Sequence, residues 1–291
     1  GYVPRSRTAA KANISFDITL PSAASLPSQI ILKSGLVCVG ASENTAYTFS
    51  IPEDIIVNVD QYSSVASFNN INVYQGVLIT QQFTADTSIK QKFILNNKNI
   101  DTQTLVVKVD GFEYNMVDNI TKLDSNSEIF LIQEIEDERY QLLFGDGILG
   151  KKLESGAVID VSYIVTDGKE GNGPSLFSFS GVITDIVGIV KSPVGSVSIT
   201  TNSSAAGGAE IETIDSVKYF APRLYSSQYR AVTSRDYESI VKMIYPDSES
   251  ITVIGGEELD PPEYGNVIIS IKPKNSYKLS DFTKEYKKHW I

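Results

Sequence analysis

The sequence predicts a mainly β, multidomain protein with a C-terminal α+β part. Short apolar segments that end at turn signals fill the chain up to residue 206, whereas helical spacing of apolar residues begins only after Gly207-Gly208. The length of 291 residues suits two or three domains of about 100–150 residues each. We therefore expect small β-sandwich or barrel domains, followed by a helix-helix-strand-strand-helix domain.

The first strand is indicated by alternation, because polar Ser15 and Asp17 separate Ile14, Phe16 and Ile18. Apolar runs rich in β-branched residues predict further strands at 30–40, 47–51, 55–59, 73–83, 91–95 and 105–109.

Two hairpins and several later strands follow. Asp110-Gly111 is a tight-turn signal, which predicts a hairpin that returns along residues 112–116. The acidic residues 136–138 separate two apolar runs and predict a second hairpin, of residues 129–135 with 139–144. Further strands are predicted at 158–165, 182–190 and 197–201.

Two helices are predicted after the glycine pair. The first has an apolar stripe, and Pro222 should end or kink it; the stripe consists of Ile214, Val217, Phe220, Ala221 and Leu224. Thr233 or Ser234 can cap the second helix, with Asp236 completing a capping box. Its stripe consists of Tyr237, Ile240, Val241 and Ile244, and Pro246 should stop it.

The rest of the chain predicts strands at 250–254 and 266–271 and a third helix, whose stripe consists of Leu279, Phe282, Tyr286 and Trp290. Because the chain starts with Gly1 rather than Met and ends inside this helical pattern, we expect a fragment of a longer protein.

Composition excludes several classes of partner. The formal net charge is -10, which argues against a nucleic-acid-binding protein, since such proteins present a basic surface. The sequence has neither a secretory signal nor an apolar run of about 20 residues, so we expect no membrane insertion. The lone cysteine, Cys38, lies in an apolar run and is predicted to be a small buried hydrophobe.

The sequence predicts no catalytic, cofactor-binding or metal site, and no small-molecule substrate. The single histidine, His289, has no motif around it, and the G-x-S-x-G, CxxC and HExxH patterns are absent. Asp146 lies between two glycines in Phe144–Gly150, where it suits a turn that bonds its own backbone better than a Ca²⁺ loop. The glycine-rich stretch 167–174 lacks the spacing of a phosphate-binding loop. We therefore predict that the protein is not an enzyme.

Several short strings in order resemble the baseplate J-like proteins of contractile phage tails, and among them the baseplate wedge subunits of T4-like phages. They are the glycine-acidic entry Gly207–Glu210, Ala221-Pro222-Arg223, the helix start Arg230–Glu238, the string Phe144–Gly147 and the turn Gly168–Asn172.

This resemblance implies a discontinuous arrangement of domains. Residues 1–12 would be a tail or linker. Residues 13–75 and 166–206 would together form one β-domain, into which a second β-domain, residues 76–165, is inserted. Residues 207–291 would form a truncated α+β domain.

The resemblance also implies a structural role in the tail baseplate of a virion, assembled in the cytoplasm of the bacterial host. Such a subunit associates with itself, as a homodimer or ring segment, and binds other baseplate wedge proteins. Together they form a ring around the tail hub that rearranges on contraction. Two alternatives stay open, namely the equivalent subunit of a bacterial contractile injection system and a carbohydrate-binding or carbohydrate-cleaving tail-spike protein.

The link between the two predicted helices is the candidate assembly interface, because tyrosine and arginine dominate interface hot spots. It contains Arg223, Tyr225, Tyr229, Arg230 and Arg235. We expect alanine at Tyr229 and Arg230 to weaken self-association. Alternatively, the tyrosines pack on the domain's own sheet, and Arg223 and Arg235 pair with Glu210, Glu212 or Asp236.

Overall fold

The computed structural model describes residues 4–21, 26–42, 45–117, 124–227, 230–245 and 248–273. The described residues fold as two compact units, Arg5–Ile211 and a C-terminal unit that begins at Glu212. The fold is mainly β with a C-terminal α+β part, as predicted. The division into domains stays a prediction.

The unit Arg5–Ile211 consists almost wholly of strands, which are β1 (Lys11–Thr19), β2 (Gln29–Leu32), β3 (Gly35–Ser42), β4 (Thr45–Ile51), β5 (Ile55–Asn58), β6 (Val65–Gln75), β7 (Val77–Thr84), β8 (Phe93–Ile94), β9 (Ile100–Val109), β10 (Phe112–Met116), β11 (Ile129–Ile135), β12 (Arg139–Phe144), β13 (Val158–Val165), β14 (Phe177–Phe179), β15 (Ile183–Asp185), β16 (Val190–Lys191) and β17 (Ile199–Ala206).

Two sheets enclose the first core. A six-stranded sheet has the order β14-β3-β4-β6-β1-β17, and a four-stranded sheet has the order β16-β15-β2-β5. The predicted alternation in β1 is confirmed, since Ile14, Phe16 and Ile18 are buried in this core. Phe16 stacks on Phe68 with ring centroids 5.0 Å apart. Cys38 is buried in the same core, as predicted.

Two predicted strands are each divided in the structure. The predicted strand 30–40 breaks at Lys33-Ser34, so that β2 and β3 belong to different sheets. Asp54 causes this break by accepting the backbone N–H of Ser34 at 2.7 Å. The predicted strand 73–83 breaks at Gly76, whose φ of 130° interrupts extended backbone.

A second core lies in a seven-stranded sheet of order β7-β13-β9-β10-β11-β12-β8. Both predicted hairpins are confirmed, β9 with β10 and β11 with β12. The predicted strand 91–95 is shorter, because only Phe93–Ile94 pair with β12.

Glutamine side chains join the two edge strands of this sheet. The amide of Gln81 in β7 donates to the carbonyl of Ile94 at 3.1 Å and accepts the N–H of Asn96 at 3.1 Å. Gln91 bonds Thr84 and Asp86 in the same way. The side-chain amides thus replace part of the backbone ladder and bring the sheet close to a barrel.

The predicted strand 182–190 is instead a tight hairpin of β15 and β16. The carboxylate of Asp185 accepts the N–H groups of Val187 and Ile189, which turns the chain back after three residues. Extended alternation cannot continue where a side chain fixes such a turn.

A buried polar junction lies where the chain passes from the first sheets into the second and returns. Gln75, at the end of β6, donates to the carboxylate of Asp167 at 2.8 Å and accepts the hydroxyl of Thr166 at 2.7 Å. Gln75 is 2% exposed. A buried amide without hydrogen-bond partners costs free energy of folding. These bonds therefore hold the two chain crossings, at Gln75 and at Thr166-Asp167, side by side.

The segment predicted as a tail or linker is anchored over its described part. Ala9 donates its N–H to the carboxylate of Asp101 at 2.8 Å, and Arg7 forms an ion pair with Glu210 at 2.6 Å. Ser6 and Ala9 are buried.

The C-terminal unit contains α1 (Ile214–Ser227), α2 (Ser234–Ile244), β18 (Ser248–Gly255) and β19 (Val267–Pro273). The strands form an antiparallel pair. The predicted third helix, beginning near Leu279, lies outside the described residues.

Candidate assembly interface

Helix α1 continues past its proline. Of the two expected effects of Pro222, an end or a kink, the end does not occur, since helical structure extends to Ser227. A proline lacks the backbone N–H that would donate to a helix carbonyl, and two side chains near Pro222 donate to backbone carbonyls. The guanidinium of Arg223 donates to the backbone carbonyl of Tyr219. The hydroxyl of Ser226 donates to the backbone carbonyl of Arg223 at 2.8 Å.

Arg223 is engaged within its own helix. Its guanidinium carbon lies 3.5 Å from the ring centroid of Tyr219, a cation–π contact between side chains four residues apart. Arg223 therefore presents the Tyr219 ring and its own charge as one rigid unit on the helix surface.

Helix α2 begins with the predicted capping box. Thr233 accepts the N–H of Asp236 at 3.3 Å, and the carboxylate of Asp236 accepts the N–H of Thr233 at 2.9 Å. The hydrogen bond from the backbone N–H of Thr233 has the largest effect on the Asp236 carboxylate and lowers its pKa, and the side chain of Thr233 contributes less. Of the two caps that the sequence left open, the structure selects Thr233 rather than Ser234.

Replacing Thr233 with alanine should cost about 1 kcal/mol of local stability, because it removes the acceptor for an otherwise unpaired helix N–H. Amide hydrogen exchange in α2 should accelerate about fivefold. Ser234→Ala is the matched control and should leave exchange unchanged. Equal effects of both substitutions would show that Thr233 is not the cap.

The structure places the predicted interface residues as follows. Tyr225 is 84% exposed and does not pack on the sheet of its own unit. Arg230 and Arg235 are also exposed. Tyr229 lies outside the described residues. Their role in an assembly interface stays a proposal.

The three suggested ion-pair partners each bond other residues. Glu210 pairs with Arg7 rather than with Arg223 or Arg235, and Asp236 accepts the backbone N–H of Thr233 in the capping box. Glu212 accepts the hydroxyl of Ser216 at 2.7 Å.

Sequence reasoning missed several exposed apolar residues in the C-terminal unit. Ile214 is 71% exposed, Val232 80% and Tyr264 82%. Among the residues of this unit whose burial the structure describes, Val253 and Pro273 are the buried apolar residues. Ile214 was assigned to the apolar stripe of its helix, and periodicity alone could not show that its side chain is exposed.

Two of the quoted strings meet in space. The side-chain amide of Asn172 donates to the carbonyl of Gly208 at 2.9 Å and accepts the N–H of Gly208 at 2.8 Å. A Cβ on Gly208 would lie 2.3 Å from the carbonyl oxygen of Gly168. The turn Gly168–Asn172 is thus held by hydrogen bonds against the glycine pair that follows β17. We call this contact the Asn172–Gly208 lock.

The Asp146 loop is a turn closed by its own backbone, as predicted. The carboxylate accepts the N–H groups of Ile148 at 2.8 Å and Leu149 at 2.9 Å. These two hydrogen bonds lower the pKa of Asp146, and the bond from Leu149 has the larger effect. No cluster of metal-ligating side chains occurs within the described residues.

Comparisons with known proteins agree on one family. Residues 78–167 match the family model described as bacteriophage baseplate wedge protein gp6, third domain, and residues 233–289 match baseplate structural protein gp6, C-terminal domain I. Baseplate wedge protein gp6 of Enterobacteria phage T4 is 25% identical over 313 residues, which cover 100% of this chain and 46% of that protein. The chain thus spans about half the length of the curated relative that it matches.

A solved structure is similar at a lower level. The cryo-EM structure of the anti-feeding prophage (AFP) baseplate, 6-fold symmetrised, contains a chain 14% identical to this one, and the match covers 90% of this chain and 47% of that chain with a TM-score of 0.27. No helix in the described ranges is long and apolar enough to cross a membrane.

The β-rich fold and the two matched domains define the class of this chain as a structural protein of contractile-tail baseplates. More particularly, the chain belongs to a baseplate wedge-like family, whose relative in phage T4 is baseplate wedge protein gp6. The resemblance stated from short sequence strings is therefore confirmed.

Proposed function

We propose that this chain is part of a baseplate wedge subunit that associates with itself and with other wedge proteins in the ring around the tail hub. The observation that carries the proposal is the match of two separate regions to domains of gp6. The subunit is located in the tail baseplate of the virion, after assembly in the host cytoplasm, and has no enzymatic role. The ring that it helps to form rearranges on contraction.

The architecture suits a part that carries mechanical load. Two sheet systems with separate cores are joined by hydrogen bonds from buried Gln75 to buried Thr166 and to Asp167. Such a junction resists bending, because separating the crossings would leave several polar groups unpaired.

Location in the baseplate is tested with contractile tails purified from the same source. An antibody against this chain should label the baseplate end of the tail in electron micrographs. Labelling along the tube, or absence of the chain from purified tails by mass spectrometry, would contradict the proposed function.

Self-association is supported by the exposed aromatic surface of the C-terminal unit. Tyr225 is 84% exposed within a helix that also presents Tyr219 and Ile214. Exposed aromatic side chains clustered on one unit are typical of protein contact surfaces.

Replacing Tyr225 with alanine should weaken self-association about tenfold or more, since interface tyrosines are frequent hot spots. Light scattering on a sizing column, over a wide concentration range, measures the dissociation constant. The matched control is Tyr62→Ala, which removes a 102% exposed tyrosine from the β unit and should leave the constant unchanged. A monomer at every concentration, or equal behaviour of both variants, would contradict self-association through this helix.

A further inference from the structure

The chain contains one Asn-Gly sequence, Asn172-Gly173, and its asparagine forms the Asn172–Gly208 lock. Asparagine is among the chemically labile residues of proteins. It is most labile before glycine, because glycine has no Cβ to hinder the approach of its backbone nitrogen to the asparagine side chain. In this chain the fold places obstacles in the way of that reaction.

Deamidation closes a ring between the two neighbouring residues. The backbone nitrogen of Gly173, after it loses its proton to a base in solvent, bonds to Cγ of Asn172, and the Cγ–Nδ2 bond breaks to release ammonia. Water then opens the succinimide at either carbonyl, which leaves aspartate or isoaspartate at position 172. Nothing is oxidised or reduced, and solvent supplies both the base and the water.

The attacking nitrogen is engaged in a hydrogen bond. The N–H of Gly173 donates to the carbonyl of Ala205 at 2.9 Å, and the N–H of Ala205 donates to the carbonyl of Pro174 at 2.8 Å. These two bonds hold residues 173–174 against the end of β17. The nitrogen can turn toward the side chain only after the first bond breaks, which costs free energy.

The side-chain amide that would be attacked is held at both ends. Nδ2 of Asn172 donates to the carbonyl of Gly208 at 2.9 Å, and Oδ1 accepts the N–H of Gly208 at 2.8 Å. Two bonds to the same residue fix the plane of the amide, so Cγ cannot rotate toward Gly173. A Cβ at position 208 would lie 3.0 Å from this Oδ1, so the close approach suits glycine there.

The backbone of Asn172 has a conformation that opposes ring closure. Its φ is -73° and its ψ is 148°. A planar five-membered ring needs Cβ of Asn172 and the nitrogen of Gly173 eclipsed about the Cα–C bond, which is roughly a quarter turn from this ψ. Burial is not the obstacle, since Gly173 is exposed and Asn172 is half-buried. The hydrogen bonds and the torsion angle therefore control the reaction, rather than access of water.

We propose that Asn172 is a latent deamidation site, which stays unreacted while the Asn172–Gly208 lock is closed and reacts when the lock opens. Native proteins open locally at a smaller cost in free energy than global unfolding. The reaction therefore records opening of this turn, whatever causes it. The site is independent of the proposed role in the baseplate.

Deamidation would make the opening permanent. Aspartate has no side-chain N–H, so the donor to the Gly208 carbonyl is lost and a carboxylate oxygen would face that carbonyl instead. Isoaspartate also lengthens the main chain by one carbon, which displaces Gly173 from its partner. Gly208 lies between β17 and the bridge of Ala209 with Thr8. The reacted chain would therefore keep a loosened segment after β17.

The test follows deamidation of the purified chain by peptide mass spectrometry, folded and in urea, at mildly alkaline pH. Asn126, which precedes Ser127 in an exposed turn, is the reference for any effect of urea on the chemistry itself. Relative to that reference, position 172 should react about tenfold or more faster in urea, because unfolding removes all the obstacles. Equal relative rates in both conditions, or no reaction at position 172 in urea, would overturn the proposal.

Gly208→Ala attributes the protection to the lock. The added Cβ would lie 2.3 Å from the carbonyl oxygen of Gly168, so deamidation at position 172 of the folded variant should rise about tenfold. The matched control is Gly207→Ala, whose Cβ meets nothing within 4 Å and which should keep the slow rate. A folded Gly208→Ala chain that reacts as slowly as wild type would overturn the role of the lock. If circular dichroism shows that this variant does not fold, the comparison between folded and unfolded wild type decides.

Asn172→Asp tests whether the change is permanent. Amide hydrogen exchange at Gly173 should accelerate about tenfold in this variant, because the lock can no longer hold the turn against β17. Asn126→Asp adds the same charge in an exposed turn and should leave that exchange unchanged. Wild-type exchange at Gly173 in folded Asn172→Asp would contradict the permanent opening.

Discussion

Gly76→Ala should lower the free energy of unfolding of the β unit by about 3–5 kcal/mol, an exceptionally large effect for one methyl group. Gly76 has a φ of 130°, and a Cβ there would lie 2.2 Å from the carbonyl oxygen of Val165. It would also lie 2.7 Å from Cγ2 of Ile164. Both the strained backbone and the clash with a neighbouring strand oppose the added methyl group. Urea unfolding followed by circular dichroism measures the loss.

Gly35→Ala separates the two causes. Gly35 also has a positive φ, of 103°, but a Cβ there meets nothing within 4 Å. This variant should therefore lose only about 1 kcal/mol, the cost of the backbone conformation alone. Equal losses at both positions would show that the contact with Val165 is unimportant.

The pH dependence of stability should change most on replacing Asp101 with asparagine. Asp101 is 1% exposed, and burial raises its pKa from 3.8 to about 6 despite hydrogen bonds from Ala9 and Gln103. Between these pH values the folded protein binds the proton more tightly than the unfolded chain. The contribution of Asp101 to the free energy of unfolding therefore falls as pH rises from 4 to 6, by about 3 kcal/mol in all.

The comparison between variant and wild type isolates this group. Other carboxyl groups, such as Asp54 and Asp185, have lowered pKa values and act in the opposite direction. Both proteins contain them, so they cancel in the difference. From pH 4 to pH 7, Asp101→Asn should gain about 3 kcal/mol relative to wild type. A constant difference in urea unfolding would contradict the raised pKa.

Local signals made much of the fold predictable. Asp110-Gly111 and the acidic residues 136–138 mark turns by their own chemistry, and both hairpins occur where predicted. The capping box at Thr233 is equally local. Each of these features depends on neighbours within four residues, which is the range over which sequence patterns act.

Long-range partners were not predictable in the same way. Asp54 ends β2 through the N–H of Ser34, 20 residues away in sequence. The Asn172–Gly208 lock joins residues 36 apart. Apolar periodicity could not detect either contact, because a polar side chain that binds distant backbone leaves no repeating pattern.

Composition selected the candidate interface residues but could not show their surroundings. Tyr225 was selected as an interface tyrosine, and the structure shows that it is exposed. Arg223 was selected for its charge, yet it lies against the Tyr219 ring. The exposure of the turn 186–189 was missed, because the run around Val187 has the composition of a buried strand.

The chain crosses from the first sheets into the seven-stranded sheet at Gln75 and crosses back at Thr166. The two crossings are adjacent, because the side chains of these residues are hydrogen-bonded to each other. A segment with adjacent ends can be exchanged for another of similar span without rerouting the surrounding strands. Under the predicted division into an inserted and a surrounding β-domain, this junction is the point at which one inserted domain could replace another while the surrounding sheets keep their topology.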